Sequence, residues 1–209
     1  MACPRRPGTS RRGFMRIVGG RLAGRNLASV GAGAPQAHLR PTTDRVRESL
    51  MNVIEHGEYP PFDGARVLDL FAGTGALGLE ALSRGASHVV LVDDNPTARA
   101  LIRQNIETLG ATGQTKLFRR DATRLGPNRG AAFDIVFLDP PYRSGLGRRA
   151  LASALEHGWL AADALIIWET AGDEAVDPPE TLRIVDERRY GETKITLLRA
   201  QAFTASGSR

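Results

Sequence analysis

Hydrophobic residues in the middle of this chain fall into short unbroken runs, separated by longer stretches with helical spacing. Unbroken apolar runs of about four to eight residues are typical of strands that are buried on both faces. The predicted strands lie at 67–71, 88–92, 115–118, 133–138 and 164–168. The predicted helices lie at 76–83, 96–109 and 146–157, and Gly85 and Gly110 are suited to end the first two.

The pattern changes after residue 180, where two strand-like segments at 182–188 and 194–199 are joined through Gly191. Such a pair predicts an antiparallel hairpin. Strands that alternate with helices predict a parallel sheet, because each crossover helix returns the chain to the same end of the sheet. The whole pattern therefore predicts an α/β fold with a doubly wound, mostly parallel sheet and an antiparallel C-terminal edge.

Two elements of another kind precede this body. Short strand-like pieces flank a glycine-rich turn within residues 15–27, which predicts a small β-hairpin. Thr43 or Asp44 is suited to cap a following helix whose apolar residues share one face. Arg45 and Arg47 are expected to lie away from that face. The apolar face comprises Val46, Leu50, Val53 and Ile54.

These patterns divide the chain into four segments. Residues 1–14 are rich in proline, arginine and glycine and are expected to form a disordered extension, with Met15 as an alternative start. Residues 15–58 contain the hairpin and the helix, and residues 59–201 form the predicted core. Residues 202–209 are expected to be a flexible tail.

Composition narrows the class of protein. The 209 residues, of which 42% are hydrophobic and 24% charged, suit one globular domain with an appendage. No apolar run approaches the roughly 18 residues that span a bilayer, so no membrane partner is expected. Arg11 and Arg12 resemble the start of a twin-arginine export signal, but no long apolar stretch follows them. Since Cys3 is the only cysteine, we expect a cytoplasmic protein without a disulfide framework or a metal site.

Positive charge is concentrated at the N-terminal end. Residues 1–50 contain ten arginines and two acidic residues, whereas from residue 51 onward acidic residues outnumber basic ones by 21 to 18. A basic segment on an acidic body is typical of an arm that binds a polyanion. For residues 1–14, a solvated arginine-rich tail is the alternative interpretation.

The loop after the first predicted strand contains Gly73, Gly75 and Gly78, which match the G-x-G-x-x-G pattern. Ligands of doubly wound sheets bind beyond the carboxyl ends of the strands, where such a loop lies. Asp93 ends the second predicted strand, where a carboxylate can accept hydrogen bonds from both hydroxyls of a ribose. A dinucleotide and S-adenosylmethionine both fit this arrangement.

Two further carboxylates bear on the choice between these cofactors. Asp69 comes just before the glycine loop, where its charge disfavours a pyrophosphate and favours the ammonium group of a methionine moiety. Asp121 follows the third predicted strand and is placed to accept a hydrogen bond from the exocyclic amine of an adenine. The alternative interpretation is that both are loop acids or helix caps without a ligand.

The most specific signal is Asp139-Pro140-Pro141-Tyr142, directly after the apolar run at 133–138. Two prolines remove two amide donors, so the Pro140 carbonyl can project without a partner. With the Asp139 carboxylate it offers two acceptors to one exocyclic amino group, which would position this weak nucleophile for methyl transfer. Tyr142 can stack on a flipped base. An ordinary proline turn is the alternative interpretation.

Four segments together resemble the RsmD family of bacterial S-adenosylmethionine-dependent methyltransferases. They are DLFAGTGALGLEALSRG at 69–85, DPPY at 139–142, RIVGG at 16–20 and RPTTDRVRE at 40–48. Many amino-methyltransferases share the DPPY motif, whereas the RPTTDRVRE segment makes the resemblance specific. The resemblance covers residues 15–198 and implies a seven-stranded, Rossmann-like methyltransferase sheet with an N-terminal hairpin and helix as an appendage.

The resemblance also implies a reaction, the transfer of a methyl group from S-adenosylmethionine to the N2 amine of one guanine in 16S ribosomal RNA, guanine 966 in standard numbering. Asp139, Pro140, Pro141 and Tyr142 would hold this guanine. The substrate is expected to be the RNA of an assembling or complete small ribosomal subunit. We expect the protein to act as a monomer, with the hairpin and helix of residues 15–58 facing the RNA.

The same resemblance implies which residues hold the cofactor and the RNA. Gly73 and Gly75 would cradle the methionine moiety, Asp93 would bind the ribose, and Asp121 with Ala122 would contact the adenine. The other cofactor contacts implied are Asp69, Phe71, Ala72, Thr74, Arg40 and Thr42, the last two closing over the cofactor from the N-terminal side. The RNA contacts implied are Arg16, Arg21, Arg25, Arg45 and Arg143.

Three other functions remain open on the sequence alone. An adenine-N6 methyltransferase of DNA or RNA would use the same acceptor chemistry at Asp139. A dinucleotide-linked oxidoreductase would use the glycine loop but would leave residues 139–142 without a task. A non-catalytic assembly factor would bind small-subunit RNA without turnover.

Overall fold

The computed structural model describes residues 15–29 and 43–200. The predictions for residues 1–14, Arg40, Thr42 and residues 202–209 lie outside these described residues. The strands are β1 (Met15–Arg16), β2 (Asn26–Leu27), β3 (Arg66–Leu70), β4 (His88–Val92), β5 (Thr115–Phe118), β6 (Phe133–Leu138), β7 (Leu160–Ala171), β8 (Leu182–Tyr190) and β9 (Thr193–Ala200). The α-helices are α1 (Asp44–His56), α2 (Ala76–Ser83), α3 (Pro96–Leu109) and α4 (Leu146–Glu156).

Seven strands form one sheet in the order β5-β4-β3-β6-β7-β9-β8. The strands from β3 to β7 run parallel, whereas β9 pairs antiparallel with both β7 and β8. The order of connection reverses between β3 and β6, because β4 and β5 extend the sheet on one side and β7 extends it on the other. The predicted doubly wound, mostly parallel sheet with an antiparallel C-terminal hairpin is confirmed.

Alternate residues of the central strands pack on opposite faces of the sheet, as the period-two geometry of a strand requires. Val67, Val89 and Ile135 belong to a core that they share with α1, α2 and α3. Leu68 and Val90 belong to a second core, which α4 covers. Burial on both faces explains why the strands read as unbroken apolar runs. In the described part of the chain, no helix is both long and apolar enough to cross a bilayer.

The predicted N-terminal hairpin is present, with β1 antiparallel to β2 and a 3-10 turn at Gly20–Leu22 between them. The hairpin and the body share one hydrophobic core, and the segment boundary at residue 58 stays a prediction. The hairpin residues buried in that core are Met15, Ile17, Leu22 and Leu27.

The expectation that Arg47 lies away from the buried face of α1 was wrong. Its side chain is fully buried. It donates hydrogen bonds to the backbone carbonyl of Arg16 and, at 2.9 Å, to Asp44, and its Nε lies 3.8 Å from a Glu80 oxygen. Hydrophobic spacing alone could not place a buried arginine, because its partners come from other elements. The buried face of α1 comprises Arg47, Leu50, Met51 and Ile54.

Most predicted element bounds agree with the structure, and the exceptions have physical causes. Both α2 and α3 have the predicted bounds, and Thr43 caps α1 by accepting a hydrogen bond from the Val46 amide at 3.4 Å. Strand β3 ends before Phe71, whose φ of 61° is left-handed. Strand β7 is longer than predicted at both ends, because Leu160 pairs with Phe133 of β6 before the predicted start and the last three residues pair with β9 after the pairing with β6 has ended.

Candidate active site

Four carboxylates lie at the carboxyl ends of neighbouring parallel strands. Asp69 is on β3, Asp93 follows β4, Asp139 follows β6 and Glu169 is near the end of β7. The Asp139 amide donates to the Leu70 carbonyl at 3.3 Å, which holds the end of β6 beside the start of the glycine loop. The strand order reverses between β3 and β6, the place where doubly wound sheets bind their ligands.

The glycine loop joins β3 to α2 through a tight turn. Gly73 and Gly75 have φ values of 57° and 78°, in the left-handed region that glycine adopts without strain. Gly78 has a different role, because a Cβ there would lie 2.8 Å from Cγ1 of Val89. The missing side chain lets α2 pack closely on β4, which brings the start of the helix to the edge of the site.

The other loop residues predicted to contact the cofactor differ in exposure. Ala72 and Thr74 are buried, and the Thr74 hydroxyl lies 3.5 Å from the sulfur of Met15 in the hairpin. Phe71 is half-buried. Its left-handed φ of 61° is unusual for a residue with a side chain. Such backbone strain costs about 1–3 kcal/mol and is concentrated at functional sites.

Asp69 lies behind the glycine loop, with 1% of its surface exposed. It accepts a hydrogen bond from the Gly78 amide at 2.9 Å. Burial raises the pKa of Asp69 to about 7, because this hydrogen bond offsets only part of the desolvation and the nearby Asp93 raises it further. A side chain so enclosed acts on a ligand through its charge more than through direct contact.

Asp93 ties the end of β4 to the glycine loop. Its carboxylate accepts hydrogen bonds from the amides of Gly73 at 2.9 Å and Asn95 at 2.8 Å. Burial raises its pKa, although both hydrogen bonds act in the opposite direction. A carboxylate has about four lone-pair sites, so two amide donors leave acceptor capacity for ribose hydroxyls. That ribose contact stays a prediction.

Asp121 caps the 3-10 turn at Ala122–Arg124. It accepts hydrogen bonds from the Thr123 amide at 2.8 Å and the Thr123 hydroxyl at 2.7 Å. Burial acts to raise the pKa of Asp121, but these two hydrogen bonds outweigh it and the pKa is lowered. The capping role that was its alternative interpretation is present. The side chain is still exposed, so a contact with adenine stays a prediction.

Asp139 and Pro140 have the unused acceptors that the sequence predicts. Asp139 is half-buried, and neither its carboxylate nor the Pro140 carbonyl accepts a hydrogen bond from any residue that the structure describes. The Pro141 carbonyl, by contrast, accepts one from the Ser144 hydroxyl at 2.5 Å. Burial raises the pKa of Asp139 well above its usual range, and the charges of Glu169 and Asp69 raise it further.

Tyr142 is 41% exposed, and its hydroxyl is fixed. The hydroxyl donates to Glu169 at 3.0 Å and lies 3.1 Å from the Thr193 hydroxyl, with which it shares a hydrogen bond. Burial, as the largest cause, raises the Tyr142 pKa. Glu169 was not among the predicted site residues, because the predicted strand stopped one residue before it. The available signal was an acidic residue directly after an apolar strand, the same pattern that identified Asp139.

An acidic loop after β7 holds Arg143, which was predicted to contact RNA. Its amide donates to Glu174 at 2.9 Å and its guanidinium to Asp173 at 2.6 Å. Arg148 forms a similar ion pair with Asp177. These pairs offset part of the positive charge at the start of α4. A phosphate contact through Arg143 would require its ion pair to open, and it stays a prediction.

The other predicted RNA contacts are on the hairpin and α1 and are exposed. Two of them have partners, since Arg16 lies 3.5 Å from Asp44 and Arg21 donates to the Gln114 side chain at 2.7 Å. Exposed pairs of this kind contribute at most about 1 kcal/mol, so phosphates can replace them at little cost. These residues are Arg16, Arg21, Arg25 and Arg45.

One family model and several known proteins match most of this chain. The chain matches the family model described as conserved hypothetical protein 95 over residues 15–199. It is 37% identical over 201 residues to ribosomal RNA small subunit methyltransferase D of Escherichia coli K12, covering 95% of this chain and 96% of that protein. It is 34% identical over 183 residues to the protein of the same name from Haemophilus influenzae, covering 86% and 91%.

Solved structures give the same result for the fold. An Escherichia coli protein, yhhF, described provisionally as a methyltransferase, matches with a TM-score of 0.77 and 34% identity, covering 91% of this chain and 99% of that one. A Haemophilus influenzae protein described provisionally as a methylase matches with a TM-score of 0.71 and 30% identity, covering 90% and 99%. The described sheet, with its antiparallel C-terminal strands, is therefore of the type found in these proteins.

Proposed function

We propose that this chain, which belongs to the RsmD family, described as conserved hypothetical protein 95, methylates the N2 amine of one guanine in 16S ribosomal RNA. Family membership and the named relatives support an S-adenosylmethionine-dependent methyltransferase that acts on ribosomal RNA. The choice of guanine N2, guanine 966 in standard numbering, rests on the resemblance to the family. The residue roles rest on the geometry of the site.

One observation carries the proposal, the pair of unused acceptors at Asp139 and Pro140. They follow β6, next to the glycine loop, and no described residue donates a hydrogen bond to either. An exocyclic amine carries two N–H groups, so it can donate to both acceptors at once. Such a pair fixes the direction of the nitrogen lone pair and stabilises positive charge on it. This arrangement is suited to methyl transfer to an amino group.

The residues around the glycine loop fit S-adenosylmethionine better than a dinucleotide. Asp69 and Asp93 place two carboxylates at the start of α2, where they would repel a pyrophosphate and attract an ammonium or sulfonium group. Gly73 and Gly75 leave room for close approach to the backbone, with Phe71, Ala72 and Thr74 around them. The cofactor supplies the methyl group when bound. In this proposal Asp93 binds its ribose, and Asp121 with Ala122 contacts its adenine.

The remaining steps use this chain's own residues. As the new N–C bond forms, positive charge develops on the amine nitrogen, and the Asp139 carboxylate stabilises it with support from Glu169. The raised pKa of Asp139 suits this carboxylate to accept the proton that the amine loses. Tyr142 presents its ring to a flipped base, with its hydroxyl held by Glu169 and Thr193.

The proposed partner is 16S ribosomal RNA within an assembling or complete small subunit. The exposed arginines of the hairpin and α1 support this choice, because backbone phosphates supply most of the affinity in RNA binding. We further propose that the protein acts as a monomer in the cytoplasm, without a membrane partner.

Replacing the Asp139 carboxylate tests the central assignment. We expect Asp139→Ala to lower kcat for methyl transfer to small-subunit RNA by about 100- to 1000-fold, the usual effect of losing a preorganised electrostatic contact. Its affinity for S-adenosylmethionine, measured by calorimetry, should be nearly unchanged. Turnover close to that of the parent would refute the assignment.

Asp93→Ala is the matched control, because it removes a carboxylate from the cofactor side of the same site. We expect it to weaken S-adenosylmethionine binding by about 1–3 kcal/mol through lost charge-assisted hydrogen bonds.

Identifying the methylated nucleoside in the parent reaction separates N2-methylguanine from N6-methyladenine. The second product would replace the proposed substrate with an adenine.

A further inference from the structure

A hollow of about 540 Å³ lies on the sheet face that α4 only partly covers, over β4 and β5. The connections from β3 to β4 and from β4 to β5 are the helices α2 and α3, which pack on the opposite face. The connection from β5 to β6 is instead a loop with one 3-10 turn, Ala122–Arg124. Without a crossover helix there, part of the sheet face stays open.

The hollow is lined by cationic groups, and no acidic residue of the described chain is part of its lining. Lys116 lies 4.7 Å from the centre of the Phe118 ring, and the Arg66 guanidinium lies 5.1 Å from that of Phe133. Collecting so many like charges is unfavourable unless an anion binds among them. The cationic groups are Arg66, Lys116, Arg120 and Arg129, and the imidazole of His88 lies among them.

Some of these cations have structural tasks and others do not. Arg66 donates to the carbonyls of Ala131 and Ala132, and Arg120 donates to the carbonyl of Leu125. Lys116 and Arg129 are exposed, and neither has a hydrogen bond or an ion pair with any residue that the structure describes. The contacts of Arg66 and Lys116 with aromatic rings therefore explain only part of the positive charge in the hollow.

The pKa of the His88 imidazole also indicates that the potential in the hollow is positive. Burial lowers its pKa, and the positive charges of Arg66 and Lys116 lower it further. The hollow is thus a region of positive potential in which an anion would be stabilised.

The hollow is close to the N-terminal hairpin, although the hairpin packs against the other face of the sheet. Arg21 donates to the side chain of Gln114, which precedes β5 and lies two residues from Lys116. Strand β5 is the edge of the sheet, with Leu117 against one core and Phe118 against the other. Exposed cations therefore continue from the hairpin around the edge strand into the hollow.

We propose that the hollow over β4 and β5 is a second RNA-binding surface, which holds backbone phosphates of the same substrate molecule that the hairpin contacts. The inference rests on the proposed function for the identity of the RNA. It adds a surface along β5 and just beyond it, from Lys116 to Arg120, and at the amino ends of β3 and β4, whereas the candidate active site is at the carboxyl ends of the central strands. On β3, Arg66 lines the hollow about 13 Å from Leu70, where the strand ends and the glycine loop begins.

The test uses the double variant Lys116→Gln/Arg129→Gln, which removes the two cations of the hollow that have no hydrogen bond or ion pair with any residue that the structure describes. The matched control is Arg103→Gln/Arg189→Gln, which removes two exposed charges, on α3 and on the far edge strand β8. We expect the test variant to bind a 16S ribosomal RNA transcript more weakly. We also expect the magnitude of the slope of log K against log[salt] to fall by about 1.4–1.8, since each of the two lost phosphate contacts contributes about 0.7–0.9.

Other readouts show whether the effect is confined to RNA binding. The test variant should keep the parent's S-adenosylmethionine affinity, thermal unfolding midpoint and kcat at saturating RNA, while its KM rises. The control variant should change the salt slope much less. If test and control variants have equal slopes and KM values, the hollow is not an RNA surface.

Two further outcomes identify which inference has failed. If the parent transfers no methyl group to 16S RNA or to small subunits purified from cells lacking this gene, the proposed function is wrong. If the parent is active and the test variant is impaired on the subunits but not on protein-free RNA, the hollow contacts a ribosomal protein. That result would overturn the RNA-binding proposal and leave the proposed function intact.

Discussion

Among single residues, Asp69 contributes charge to the site at a cost to the stability of the fold. Its carboxylate is buried, and its pKa is raised from 3.8 to about 7. The unfolded chain therefore loses this proton at lower pH than the folded protein does. Between about pH 4 and pH 7 the folded state binds more protons than the unfolded state, so stability falls as pH rises, and above pH 7 the full penalty applies.

We therefore expect Asp69→Asn to stabilise the protein without ligand at about pH 8, by up to about 4 kcal/mol, the equivalent of the shift in pKa. The amide oxygen of asparagine can still accept the hydrogen bond from Gly78. The same variant should bind S-adenosylmethionine more weakly, because it lacks the negative charge. Urea unfolding across a pH series measures the first effect and calorimetry the second.

The pH dependence of the stability difference between Asp69→Asn and the parent is the control for this prediction. The advantage of the variant should shrink as pH falls and vanish at about pH 3, below the pKa of 3.8 of the unfolded chain, where the folded and unfolded parent both hold most of the proton. Two results would contradict the claim that Asp69 is charged and desolvated. One is a variant that is less stable than the parent at pH 8, and the other is a variant that exceeds the parent's stability by the same amount at every pH.

At the scale of elements, α2 holds the N-terminal hairpin through one buried carboxylate. Glu80 accepts hydrogen bonds from the amides of Val18 at 2.9 Å and Gly19 at 2.8 Å, and it lies among the side chains of Arg47 and Arg84. Removing one member of a buried charge network leaves the others uncompensated. We expect Glu80→Gln to lower the free energy of unfolding by about 3–5 kcal/mol and to speed amide exchange in the hairpin.

Glu55→Gln is the matched control for Glu80→Gln. Glu55 pairs with the same Arg84, but its side chain is 31% exposed. We expect this control to cost less than about 1 kcal/mol, as exposed pairs do. Equal costs for the two variants would show that Glu80 does not anchor the hairpin.

The hairpin also carries the clearest prediction about RNA binding by a single element. Neutralising Arg16, Arg21 and Arg25 together should weaken RNA binding and lower its salt slope by about 2–3, because three phosphate contacts no longer release counterions. Cofactor affinity should be unchanged. Deleting residues 1–14 should matter less, because that segment lies outside the family pattern. A triple variant with the parent's affinity and slope would mean that RNA is held elsewhere, as at Arg143.

At the scale of the molecule, the sequence was sufficient to predict the order of strands and helices along the chain, but it was not sufficient to predict the contacts between these elements. Strand β6 and helix α3 have the predicted bounds, because continuous apolar runs and capping residues are local signals. The burial of Arg47 and the contact of Glu169 with Tyr142 depend on partners distant in sequence. The hollow over β5 arises because a loop joins β5 to β6; the sequence predicts no helix there, but it could not show that cations from separate elements line the open face.

The central claim is that this chain methylates the N2 amine of one guanine in 16S ribosomal RNA, with Asp139 at the reacting amine. The most direct measurement maps modified nucleosides in ribosomal RNA from cells that lack this gene. One N2-methylguanine of 16S RNA should be missing in those cells and restored by the parent gene, but not by Asp139→Ala. Unchanged methylation of every 16S guanine in the deletion strain, or restoration by Asp139→Ala, would contradict the account.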